Sequence, residues 1–222
     1  MKSGLNRRIF SHLAAVLVLI GLCALPAHAE EEAADVLVKR LSSEVLDVIK
    51  ADKSIQSGDT AKVVSLVETK VLPYLNFERM TASAVGPNWR QATPEQRKRL
   101  QEEFKTLLVR TYAGALTQVS DQTISVKPLR AAADDKEVVV RTEVKGRGDP
   151  IQLDYRLEKM GTGAIAGTGG GWKIYNINVL GVWLVETYKT QFAGEINAKG
   201  IDGLIASLAE RNRSNAVNAK KS

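Results

Sequence analysis

The side chains best suited to nucleophilic, acid–base or metal chemistry at neutral pH are His12, Cys23 and His28, and all three fall within the first 29 residues. That segment reads as a secretory signal. Lys2, Arg7 and Arg8 open it, Leu13 to Leu25 is uncharged and largely apolar, and Pro26 precedes the small-x-small site Ala27-His28-Ala29. Its apolar run is shorter than the roughly 20 residues that span a bilayer. Leu22 stands where a lipoprotein signal wants a small residue ahead of its cysteine. From Glu30 onward the chain has no thiolate, no disulfide, no imidazole and no His or Cys metal ligand.

Carboxylates and tyrosines remain for acid–base work, and two sets stand close in sequence: Asp154 with Tyr155, and Glu186 with Tyr188. Adjacent strand residues point to opposite faces, so Asp154 is expected as a solvated charge on a polar face. The glycine-rich stretch from Gly161 to Gly171 resembles a phosphate-binding loop only in composition. Such loops open a helix and close on Gly-Lys-Ser/Thr; this one lies between two expected strands and lacks that ending, which favours a flexible hairpin loop. No calcium-loop spacing appears among the acids. The expectation is a protein that binds rather than transforms, with no catalytic residue, no metal and no cofactor.

Removing the leader leaves 193 residues, enough for one domain with a sizeable core. It also removes three basic residues and no acidic ones, leaving 28 Lys and Arg against 25 Asp and Glu, a net of +3. That balance is too small and too scattered to argue for nucleic acid. It is compatible with an anionic lipid surface. No second long apolar segment follows the leader.

The elements that would position a site change character halfway along. Val36 to Ile49 keeps helical spacing, a second helix is expected over Ala61 to Leu72 before Pro73, and Asn76 can cap a short one over Phe77 to Val85. Thr93-Pro94-Glu95-Gln96 is a capping box with proline at the first helical position. It opens a long helix striped by Leu100, Phe104, Leu107, Leu108, Tyr112, Leu116 and Val119. From Val138 to Lys145 and from Ile151 to Lys159 apolar and polar residues alternate, with strands also expected at Ile124–Lys127 and Trp172–Leu180. Helices return at Val182–Phe192 and Ile201–Arg211, and residues 212–222 read as a disordered polar tail. The class is α+β, a mostly antiparallel sheet of about four strands packed with helices. Residues 30–211 form one domain.

The apolar inventory is the stronger functional signal. Val140, Leu153, Tyr155 and Ile174 share a sheet face, and Phe104, Leu107, Leu108 and Tyr112 face it from the long helix. Leu180, Val182, Leu184, Val185 and Tyr188 follow. Periodicity favours a filled core over a hollow one and does not separate the two.

A resemblance separates them. Val71-Leu72-Pro73-Tyr74 with Phe77-Glu78-Arg79-Met80, Trp89 to Gln96 running into Phe104 and Leu108, and Thr111 to Leu116 form an ordered set. It continues with Trp172 to Ile177, Gly181-Val182, Tyr188 to Phe192 and Gly200 to Leu204. In order and spacing the set resembles the MlaC family, also called the toluene-tolerance family: periplasmic phospholipid carriers of the system that maintains lipid asymmetry. The resemblance covers roughly Val36 to Arg211. It implies a curved sheet and helices around a deep apolar cavity that takes a phospholipid's tails and leaves its headgroup near the mouth. Leu75, Met80, Phe104, Leu107, Leu108, Tyr112, Val140, Leu153, Tyr155, Ile174, Leu180, Val182, Leu184 and Tyr188 are the expected lipid contacts. The implied partners are an outer-membrane lipoprotein complex and the substrate-binding subunit of an inner-membrane ABC transporter, with the carrier itself a monomer. An exported enzyme on a related cone-shaped fold, using Asp or Glu with Tyr, and a non-catalytic adaptor are the competing readings. The family usually has an acid after the tyrosine and Glu-Gly-Val-Ser soon after. Here Asn176 follows Tyr175, and Leu180-Gly181-Val182-Trp183 fills the second stretch, implying a more apolar surface or pocket wall.

Overall fold

Side-chain caps set where most helices begin. The computed structural model describes residues 32–132, 134–160 and 171–219; the expected leader, residues 161–170 of the glycine-rich stretch and the last three residues lie outside them. Helix α1 (Ala34–Ala51) is followed by α2 (Lys53–Gln56) and α3 (Thr60–Leu66), capped by Asp52 and Asp59. Asn76 caps α4 (Phe77–Val85) by accepting from the Arg79 N–H at 3.0 Å, and Gly86, at φ 68°, ends it. At the head of α5 (Pro94–Thr117) the Thr93 hydroxyl accepts from the Gln96 N–H at 3.2 Å. The Gln96 side chain in turn accepts from the Thr93 N–H at 3.0 Å, closing the capping box.

The second helix is shorter than expected. After Leu66 the chain winds into a π turn, Val67–Val71, and then a 3-10 turn, Leu72–Tyr74. Pro73 has no N–H to return to residue 69, so an α-register cannot run through it. The Leu72 N–H reaches back five residues to the Val67 carbonyl, and the Thr69 hydroxyl donates to the Ser65 carbonyl at 2.7 Å.

Among the described residues five antiparallel strands form one curved sheet in sequence order: β1 (Thr123–Val126), β2 (Glu137–Lys145), β3 (Ile151–Lys159), β4 (Trp172–Val179) and β5 (Val182–Trp183). Across its centre Val140 pairs with Tyr155 and Tyr155 with Ile177; one register step on, Thr142 pairs with Leu153 and Leu153 with Val179. Period-two alternation therefore gathers the apolar side chains on one face. A bulge lets Arg156 oppose Asn176 while Leu157 opposes Ile174, leaving Tyr175 as the extra residue on β4. The fifth strand corrects the expected helix start at Val182. Leu180 and Gly181 both take positive φ, 53° and 88°, and turn the chain back into a hairpin before α6 (Leu184–Ala219) can begin.

Asp154 also departs from expectation. It is only 6% exposed, accepts from Gln152 Nε2 at 2.9 Å, and its Oδ1 has no hydrogen-bond partner among the described residues. Beside it the polar face is closed by the start of α6. Asn176 Oδ1 accepts from the Val185 N–H at 3.2 Å while its Nδ2 donates to Glu186 at 2.7 Å, and Arg156 lies 3.9 Å from the Trp183 ring. Asn176, the departure from the family pattern, thus ties α6 to β4.

The two expected C-terminal helices are one run broken at Gly200 (φ 69°, ψ −175°), and it continues to Ala219. Asn212, expected to begin a disordered tail, is buried in that helix. Its side chain donates to the Glu103 carbonyl at 2.9 Å and carboxylate at 2.7 Å, and Arg110 donates to its carbonyl. These bonds to α5 stabilise a polar segment that composition alone reads as loose.

Among the described residues three apolar clusters hold the elements. Phe104 sits among Phe77, Tyr188 and Phe192, with ring centroids 5.7, 4.9 and 5.1 Å away, where α4, α5 and α6 meet. Leu37, Val38 and Leu41 of α1 pack on Val138, Val140, Leu157 and Ile174 of the sheet. Ile49, Ile55, Val63 and Leu66 join α1, α2 and α3 to Ala113 of α5.

Candidate functional site

Helix α5 carries two apolar stripes. Leu100, Phe104 and Leu107 are filled in against α4 and α6. The neighbouring stripe, Leu108, Val109, Tyr112 and Leu116, continued past the helix end by Val119, faces a cavity of about 490 Å³, although Leu108 also packs in the Phe104 cluster. That volume lies inside the ~300–1,000 Å³ usual for small-molecule sites. Leu153, Val144, Ile151, Ile177 and Val179 line it from the sheet, Phe77 and Met80 from α4, and Val67, Val71 and Leu72 from the π and 3-10 turns.

Apart from Lys105, Tyr112, Gln118 and Gln122, every described lining side chain is apolar. Lys105 Nζ lies 3.7 Å from the Glu68 carboxylate, and burial pushes the Tyr112 phenol above its ordinary pKa. No acid, histidine, cysteine or serine stands among the described lining residues. Neither carboxylate–tyrosine set is brought there: Asp154 and Tyr155 point to opposite faces of β3, Glu186 accepts from Asn176 and Arg156, and Tyr188 belongs to the Phe104 cluster. Among the described residues no three His, Cys, Asp or Glu converge, and no helix is long and apolar enough to cross a membrane. The arrangement provides a place where apolar surface leaves water, the driving term for binding a hydrocarbon.

A polar clamp holds α4 and its two lining residues to the sheet. The Arg79 guanidinium lies 3.6 Å from the Tyr175 ring and binds Glu137 at 2.7 Å as well as Glu158, while Asn76 Nδ2 donates to Glu158 at 2.6 Å. Arg79, and then the Tyr175 hydroxyl at 2.9 Å, hold the Glu137 carboxyl below the ordinary carboxylate range. A depressed folded pKa adds stability above the unfolded value, about 4.3, and loses it as pH falls through the folded one. Glu137→Gln should therefore have a lower urea midpoint than the wild type at pH 7, with the gap closing below about pH 4. The gap is small because the pair is half exposed. A gap that persists at pH 2 would remove the clamp as its cause.

The family model for the MlaC protein matches residues 39–210. The chain belongs to the MlaC family. It is the family that the ordered set from Val71 to Leu204 resembles. The chain is 27% identical over 177 residues to the intermembrane phospholipid transport system binding protein MlaC of Haemophilus influenzae, covering 79% of this chain and 80% of that one. It is 29% identical over 189 residues to the toluene tolerance protein ttg2D of Pseudomonas putida, covering 84% and 83%. Among solved structures it is similar to a phospholipid-binding protein of Ralstonia solanacearum in complex with a phospholipid, with a TM-score of 0.76 and 48% identity over 82% of this chain and 98% of that one.

In this MlaC-family chain the expected contact residues divide. Leu75, Met80, Leu108, Tyr112, Leu153, Leu180 and Leu184 line the cavity. Phe104, Leu107 and Tyr188 are packed between helices, and Val140, Tyr155 and Ile174 lie in the cluster beneath α1. Val182 is an exposed residue of β5. Missed were the π-turn valines, Phe77, Val109 and the polar Lys105, Gln118 and Gln122. Extending the Leu108–Tyr112 stripe by helical steps reaches Lys105, Leu116 and Val119, and extending the Leu153 face by register reaches Val144 and Val179. No spacing in the sequence announces the π turn.

Proposed function

We propose that this chain is a soluble phospholipid carrier of the periplasm, acting as a monomer after removal of residues 1–29, with its lipid-binding domain running to the end of α6. The supporting observation is an apolar cavity with no described acidic lining, in a family member 48% identical to a protein solved with a phospholipid. Two acyl tails carry on the order of 30 methylenes, each worth about 0.8 kcal/mol when buried, so free lipid is essentially absent from water. An apolar interior and a bilayer offer the tails similar stabilisation. Direction must then come from the partners that dock: an outer-membrane lipoprotein complex on one side, and the substrate-binding subunit of an inner-membrane ABC transporter on the other. Lys105, Gln118 and Gln122 are the lining groups suited to a headgroup's phosphate and ester oxygens. Apolar walls discriminate poorly among tails, so selectivity for tail identity is expected to be weak.

Mass spectrometry of an organic extract of the purified protein, beside a mock purification, tests the reading. Near-stoichiometric phospholipid is the expected result. An empty extract from folded protein would overturn it and favour an adaptor or an enzyme.

A further inference from the structure

The turn between β4 and β5 contains a residue that the fold does not reward. Among the described residues Leu180 is the only one other than glycine with a positive φ. Flanked by the Val179–Val182 pair, Leu180 and Gly181 form a two-residue hairpin loop with both φ values positive. Asn-Gly is the favoured pair for such a loop, because asparagine tolerates the left-handed region that leucine's side chain resists. Burial does not offset that strain, since Leu180 is 65% exposed.

What Leu180 does contact is the cavity, whose lining it joins beside Leu153 and Leu184. Its N–H donates to the Gln152 carbonyl at 3.0 Å, and the register pairing Leu153 with Val179 brings Ile151 alongside the turn. Ile151 also lines the cavity and is 42% exposed. Two apolar side chains, each half inside and half in water, therefore form one rim. Neither is fully desolvated until something apolar lies against it. Strain at an exposed position continuous with a binding cavity points to a contact made with the ligand.

We propose that Leu180 is the lip of the cavity, closing over the emerging part of a bound phospholipid's tails and so setting how fast the lipid leaves. The inference rests on the carrier reading. Leu180→Asn tests it, since asparagine suits the turn and removes the apolar contact. Protein loaded with a fluorescent phospholipid is mixed with excess phosphatidylcholine vesicles, and the rate of lipid release is followed.

Leu180→Asn should have a thermal midpoint equal to or above the wild type when delipidated. It should release lipid roughly tenfold faster, equivalent to losing about two buried methylenes. Leu180→Gly, which relieves the same strain, should release as fast, and Leu180→Met should restore slow release. Release unchanged in Leu180→Asn would overturn the lip and leave the carrier standing. Slower release would also overturn it, because a residue that inserts into the acceptor membrane speeds transfer. A wild-type protein that takes up no phospholipid would overturn the carrier reading, and the lip with it.

Discussion

Leu153→Asp is expected to yield a folded protein that no longer retains phospholipid. Leu153 lines the cavity from near the start of β3, is half-buried, and its backbone is fixed independently of its side chain by pairing with Thr142 and Val179. In the lipid-free protein a carboxylate there faces a space that water can enter. With acyl chains in place it must lose that water to hydrocarbon, at a cost of several kcal/mol unless it is hydrogen-bonded. Because each 1.4 kcal/mol is a factor of ten, affinity should fall by at least about a hundredfold. The same change at Leu108 is less informative. That residue is nearly buried and also belongs to the Phe104 cluster, so folding and binding would fail together. Circular dichroism establishes the fold of Leu153→Asp, and extraction with mass spectrometry reads its lipid. Wild-type lipid content in a folded variant would mean that the tails lie elsewhere.

The second large effect falls on stability. Phe104 is 0% exposed and its ring touches three others, so Phe104→Ala should cost about 3–5 kcal/mol, through lost burial and the void left behind. Urea unfolding of the delipidated protein measures this directly. Because Phe104 belongs to the filled stripe of α5, the molecules that remain folded should keep their lipid. A cost below about 1 kcal/mol would mean that α4, α5 and α6 are not closely packed around this ring.

These two variants bracket what the sequence makes legible. Capping chemistry is local, so Asn76 and Thr93 place the starts of α4 and α5 correctly. Alternation is equally local and places β2 and β3. The difference between Leu107 and Leu108 is not local at all: both are buried leucines of the Phe104 cluster, and only the tertiary arrangement brings Leu108 to the cavity wall as well. The same holds for Asp154, whose polar neighbours suggest solvent until Asn176 and Trp183 bring the start of α6 against that side of the sheet. The π turn at Val67–Val71 arises where the helix begun at Thr60 runs into Pro73, with Leu66 packed among α1, α2 and α5 and Leu72 left on the cavity wall. Capped helix starts and the alternation of the long strands were therefore readable, whereas the ends of α3 and α6, the burial of Asp154 and the boundary between filled and hollow interior were set by tertiary packing.

The order of the strands has a consequence for crowding. The three long strands are all interior, and the sheet ends in β1, of four residues, and β5, of two. Such short borders present few unpaired N–H and C=O groups along which a second molecule can extend the sheet. β1 covers only Thr142–Lys145 of β2 and β5 only Asn178 and Val179 of β4, so what hinders edge-to-edge growth is the shortness of the borders together with the bridge from Leu75 to Ile174 farther along β4. Among the described residues the large apolar side chains left exposed are Val36, Ile151, Leu180 and Val182, and two of them, Ile151 and Leu180, sit together at the edge of the cavity.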